Sequence, residues 1–153
     1  MDLPCSFMLC TDRTEQECLD RLLLGDRPDQ FESMRSIQAG HTGFLLNMSR
    51  DELLGVFRAE GPAGMNIQPG AWAGKFPAQV KVQLVGELQR VSGAAGQLGG
   101  IVELKVLGAG PNVYLVPAEK THGPEVTAKV LSLFGAVMGR AERPAEGEGE
   151  MAT

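Results

Sequence analysis

The stretch Phe76-Pro77-Ala78-Gln79-Val80-Lys81-Val82-Gln83-Leu84 alternates apolar and polar side chains from end to end. A period of two is that of an extended chain, so the stretch reads as a strand with one face in a core and a polar face opposite. Pro77 has no N–H to donate and belongs at the start of that strand or at an edge. Just before it, Gly61 to Gly74 carries Pro62, Gly64, Pro69 and Gly70, the composition of a long ordered loop. Loops of that length in compact domains are often functional.

Working toward the N-terminus, Phe44-Leu45-Leu46-Asn47-Met48 and Leu53-Leu54-Gly55-Val56-Phe57-Arg58-Ala59 flank a polar turn and predict a hairpin. Cys5-Ser6-Phe7-Met8-Leu9-Cys10 is short, apolar and free of Gly and Pro, as a buried strand would be. Thr14 with Glu17 three residues on has the form of a capping box, Cys18, Leu22 and Leu23 follow at helical spacing, and Gly25 is the expected stop. Pro28 opens a second helical segment with Phe31, Met34 and Ile37 inward. Toward the C-terminus, Gly86 to Gly100 is rich in glycine and reads as a flexible connection. Ile101 to Leu107 and Val113 to Val116 bracket a turn, and Pro124 starts a helix whose stripe is Val126, Val130, Leu133, Phe134 and Val137.

Composition narrows the function. The 153 residues suit one domain, and a net charge of -5 leaves no broad basic surface for duplex DNA. Residues 140–153 lack any apolar pattern and hold four Glu and two Arg, so they read as a disordered acidic tail that carries -2 of that charge. Residues 1–139 are then the folded domain, with a net charge near -3. No apolar run is long enough for a membrane span and no signal-peptide pattern opens the chain, so a cytoplasmic protein without a membrane partner is expected.

Motifs for catalysis are missing. Gly70-Ala71-Trp72-Ala73-Gly74-Lys75-Phe76 is one residue short of a phosphate-binding loop and has no hydroxyl after the lysine. Cys5, Cys10 and Cys18 are odd in number and lie far in sequence from His41 and His122, which supports neither a disulfide framework nor a zinc site. The expectation is a protein with no catalytic residues, metal or cofactor.

Several of these segments resemble one family. Phe7-Met8-Leu9-Cys10 and Thr14-Glu15-Gln16-Glu17-Cys18, then Phe44-Leu45-Leu46 and Leu53-Leu54-Gly55-Val56-Phe57-Arg58-Ala59, follow in order. The most distinctive block is Asn66-Ile67-Gln68-Pro69-Gly70-Ala71-Trp72-Ala73-Gly74-Lys75-Phe76-Pro77-Ala78-Gln79-Val80, and Leu131-Ser132-Leu133-Phe134 closes the pattern. Together they resemble the DCD, or development and cell death, domain over roughly residues 5 to 135. Two stretches depart from the family's pattern: Leu24-Gly25-Asp26-Arg27-Pro28, where the family has Phe-Gly-Leu-Pro, and Gly86 to Val116.

The resemblance implies an α+β fold, an open PUA-like β-barrel of about six strands flanked by helices at both ends. It is similar to YTH and EVE domains, whose members read RNA or modified bases. The expected function is non-enzymatic binding of a nucleotide, modified base or single-stranded RNA feature, with a protein-interaction or homo-oligomerising module as the alternative. Candidate ligand-binding residues are Asn66, Trp72, Lys75 and Phe76, with Arg58 and Lys81 nearby. An aromatic face stacks a base, an amide reads its edge and a lysine meets a phosphate. The competing reading has Trp72 and Phe76 capping the barrel and Lys75 in solvent.

Overall fold

The computed structural model describes residues 3–146. Strand β1 (Cys5–Cys10) leads into helix α1 (Glu15–Arg21), strand β2 (Leu23–Asp26) and a 3-10 helix, Pro28–Met34. Strands β3 (Thr42–Asn47) and β4 (Glu52–Ala59) form the expected hairpin, followed by the short β5 (Gly64–Met65), a 3-10 turn Ala71–Gly74 and the long β6 (Ala78–Ser92). Helix α2 (Ala94–Leu98), strands β7 (Leu104–Ala109), β8 (Asn112–Pro117) and β9 (Thr121–His122), and helix α3 (Pro124–Glu146) complete the chain.

The main sheet runs β2-β6-β4-β3-β1-β9, with β5 also paired to β6, while β7 and β8 make a separate two-stranded ribbon. The fold is therefore α+β, with six strands in line and helices along the chain on both sides. β1 and β3 are parallel, so α1, β2 and the first 3-10 helix form the crossover between them. The curl comes from β6. Its first residues pair with β2, and from Val82 to Ser92 it pairs with β4. Gly55 faces Gln89 but Phe57 faces Leu84, so residues 85–88 bulge from the ladder around Gly86, whose φ is +72°. Such a bulge bends a strand and deepens its twist, and here it rolls the sheet into a half-barrel.

Both faces of the sheet are covered, and all six residues of β3 are buried. Inside the curl Met8, Leu24, Leu45, Leu54, Phe57, Trp72, Val80 and Val82 pack together. On the outer face Phe7, Phe44, Leu53, Leu98, Val130 and Phe134 form a second core. Phe134 of α3 stacks on Phe44 at 5.6 Å between centroids, and Phe44 in turn meets Phe7 at 5.6 Å. Each such pair adds about 0.5–1.5 kcal/mol to what area burial gives.

Several local expectations change. Helix α1 ends at Leu22, itself left-handed with φ 49°, three residues before Gly25. The capping box does not form: Thr14 Oγ1 accepts from the Thr11 N–H, and Glu17 reaches elsewhere. Gly86 to Gly100 is no flexible connection but the end of β6 and helix α2, with Ala94 and Leu98 buried. Asp51 holds α2 in place, its Oδ1 accepting from the Ala95 N–H at 2.9 Å. Helix α3 continues through Glu146, past the expected end of the domain at 139, and residues 147–153 of the expected acidic tail lie outside the described residues.

Candidate functional site

The curled sheet has two ends, β2 and β9, and a concavity opens where they approach. It has a volume of about 480 Å³, within the range of pockets that hold small ligands. Phe7 and Leu9 of β1, Met48 after β3, Phe76, and Leu107 and Val116 of the β7–β8 ribbon supply its apolar walls. Its polar groups come from the ends of the sheet: Asp26 and Arg27 from the end of β2, Glu119 and Lys120 just before β9, with Lys105 from β7.

Asp26 and Lys120 form an ion pair across the two sheet ends, Nζ to Oδ2, at 2.7 Å. Their side chains are 15% and 8% exposed. Asp26 Oδ1 accepts from the Arg27 N–H at 2.8 Å. The neighbouring backbone fixes the lysine, because the Phe7 N–H donates to the Lys120 carbonyl at 2.8 Å. Two ions taken so far out of water hold together only with good geometry and further hydrogen bonds, and this pair has both, in its 2.7 Å contact and the Arg27 N–H on Asp26.

Of the six residues expected to bind a ligand, Phe76 borders this cavity. Trp72 stands behind the wall: its side chain is packed in the inner core, 6% exposed, with its ring edge-on to Phe76 at 5.7 Å. The loop turns the indole inward because Trp72 and Ala73 both adopt left-handed φ, 51° and 54°. That conformation costs about 1–2 kcal/mol per non-glycine residue. Glu17 offsets part of it by accepting from the Trp72 N–H at 2.8 Å. Gly25 makes room, since a Cβ there would lie 2.4 Å from the indole. The indole N–H is buried without a partner among the described residues.

The other four lie apart from the cavity. Asn66 is exposed at φ 55°, a left-handed turn position that asparagine tolerates, and its N–H donates to Pro77. Lys75 and Arg58 are exposed. The Lys81 ammonium donates to the carbonyls of Arg21 and Leu22 at 2.9 and 3.2 Å, which caps the C-terminal end of α1. Gln79, expected on the solvated face, is buried and ties the loop down: Oε1 accepts from the Gln68 N–H, and Nε2 donates to the carbonyls of Gln68 and Phe76.

Other polar clusters hold the fold. Arg90 bridges Glu15 and Glu52 at 2.7 and 3.0 Å, and its guanidinium holds the Glu15 carboxyl below the usual range, while Arg50 does the same for Asp12. Burial lowers His41. The neighbouring Cys18 thiol together with burial pushes the Cys10 thiol up, opposite to the shift an activated nucleophile needs. Among the described residues no group of three or more His, Cys, Asp or Glu is placed to hold a metal, and no helix is long and apolar enough to cross a membrane.

Comparison with known proteins adds a family and a fold. Residues 5–94 match the family described as Development and cell death domain. The chain is 43% identical over 81 residues to the B2 protein of Daucus carota, covering 48% of this chain and 39% of that one. It is 41% identical over 81 residues to the DCD domain-containing protein NRP-B of Glycine max, covering 48% and 24%. The chain thus spans about two-fifths or less of the length of these relatives. Among solved structures it is similar to the YTH domain-containing protein mmi1 in a complex with RNA, with a TM-score of 0.66 at 8% identity over 92% of this chain and 86% of that one. The YTH domain of the Zygosaccharomyces rouxii MRB1 protein, in complex with N6-methyladenosine RNA, gives a TM-score of 0.51 at 11% identity, covering 85% and 86%. At such identities the likeness is one of fold.

Proposed function

We propose a binding function for this chain, which belongs to the Development and cell death domain family: it is a non-enzymatic module that takes a nucleotide, free or as part of single-stranded RNA, into the cavity at the open ends of its sheet. The observation that carries the reading is the cavity itself, about 480 Å³ in volume, with phenylalanines in its walls and a desolvated ion pair at one end. That combination suits a flat heteroaromatic ring with a polar edge. Two YTH domains of similar fold were solved with RNA, which supports the class of ligand. The net charge of -5 favours one enclosed nucleotide over a long phosphate backbone.

The test is an NMR titration of the ¹⁵N-labelled protein with the four nucleoside monophosphates and short single-stranded RNAs. Shifts concentrated at Phe7, Asp26, Phe76 and Lys120 are expected. Shifts confined to the Asn66–Lys75 loop move the site, and a spectrum unchanged by every ligand removes the reading.

A second reading, self-association, is favoured by the β7–β8 ribbon, where Val106 and Leu115 face each other across the strands at 63% and 50% exposure. Sedimentation velocity over a concentration series tests it. A monomer throughout excludes it.

A further inference from the structure

The hydrogen-bond capacity left over in the Asp26–Lys120 pair has a definite pattern. A carboxylate oxygen accepts up to two hydrogen bonds, and an ammonium donates three. Asp26 Oδ1 already accepts the Arg27 N–H, and Oδ2 already accepts Lys120 Nζ. One lone pair therefore remains on each oxygen. Among the described residues the Lys120 ammonium has that single partner, so two of its N–H groups remain. Both residues line the cavity. In the order in which these atoms are linked, the open capacity is acceptor, acceptor, donor: Oδ1, Oδ2, Nζ.

We infer that this pair reads the Watson–Crick edge of guanine, with Asp26 accepting N2–H and N1–H on its two oxygens and Lys120 donating to O6. This rests on the nucleotide reading of the cavity. Guanine alone among the four standard bases presents two adjacent donors followed by an acceptor. Adenine and cytosine match one oxygen of Asp26 with an amino group but set a bare ring nitrogen against the other. Uracil sets a carbonyl against the carboxylate, and an unmatched buried charge is costly. Charge separates guanine from the other common bidentate donor, the guanidinium of an arginine in a protein partner. The cavity wall carries Arg27, Lys105 and Lys120 against Asp26 and Glu119, a positive excess that disfavours a cation but not a neutral base.

The unmodified full chain and a ligand series test this without any variant that could unfold. By calorimetry, guanosine monophosphate is expected to bind about 10-fold or more tightly than inosine monophosphate, which lacks only the N2 amino group, and than N1-methylguanosine monophosphate. Adenosine, cytidine and uridine monophosphates should be weaker by a similar factor or more. All carry the same phosphate, so the differences belong to the base. Equal affinity across the series overturns the guanine reading while the nucleotide function stands. Binding to none of them overturns both. Tighter binding of N-acetyl-arginine amide than of guanosine monophosphate also overturns it, and assigns the pair to a protein partner.

Discussion

Gly25 shows how one hydrogen atom sets the place of the sole tryptophan. A Cβ at that position would lie 2.4 Å from the Trp72 ring and 3.2 Å from the Phe76 Cβ. Gly25→Ala is therefore expected to destabilise the domain by about 1–3 kcal/mol, the usual cost of overpacking, with the loss read by thermal unfolding and a change in tryptophan emission. Gly61→Ala, where the new methyl meets nothing within 4 Å, is the control and should be near neutral. On the other side of the indole, Glu17→Gln removes the charge from the bond to the Trp72 N–H. A loss of roughly 1 kcal/mol and a red-shifted emission are expected, and an unchanged spectrum would show that the loop holds itself. At this scale the sequence was partly misleading. A lone tryptophan in a glycine-rich loop looks like a ligand contact, but two consecutive left-handed residues turn it inward, and no periodicity reports them. Asp26 and Lys120 stand 94 residues apart, so only the fold brings them together.

At the level of elements, the period-two pattern of β6 was legible and its meaning only half so. Alternation separates two faces of a strand but does not tell what covers the second. Here the loop ahead of β6 folds back over it, so Gln79 is buried and makes three hydrogen bonds to that loop. Gln79→Leu should cost roughly 2–4 kcal/mol, since it leaves the Gln68 N–H and two carbonyls without partners, and amide exchange should quicken at Gln68 before it does in β3. The converse holds for α2. Gly96 lies inside that helix with open space around its Cα, so Gly96→Ala is expected to stabilise the protein by about 0.5–1 kcal/mol in denaturant melts. Glycine content concealed this helix, and β2 and β9, with four and two residues, were too short to carry a period. The first strand, the hairpin and the stripe of α3 from Val126 to Phe134 were longer or more apolar, and these held, while the side chain of Val137 lies outside the described residues.

For the molecule as a whole, the α+β class and the family were readable because the loop and strand from Asn66 to Val80 form a specific block. The parallel pairing of β1 with β3 was not, since it depends on a crossover rather than on any local pattern. Acid response is also a whole-molecule property. Asp12 and Glu15 are held below their ordinary values by Arg50 and Arg90, and burial lowers His41. Groups depressed on folding bind protons more weakly in the folded than in the unfolded chain, so stability is full above the unfolded values and falls as pH drops through them. Unfolding free energy should therefore decline first as His41 is protonated below about pH 6.5 and then more steeply below about pH 4.5. Arg90→Met should lower stability at neutral pH and flatten the acidic decline. Stability that rises between pH 7 and pH 5 would contradict the assignment.

A sheet that curls without closing behaves like a sprung ring with a gap, and Asp26–Lys120 is its latch. β9 hangs on two paired residues of β1 and runs at once into α3, and the latch residue Lys120 stands directly ahead of β9. The ring is then expected to give first at its gap, before the aromatic stack beneath the last helix parts.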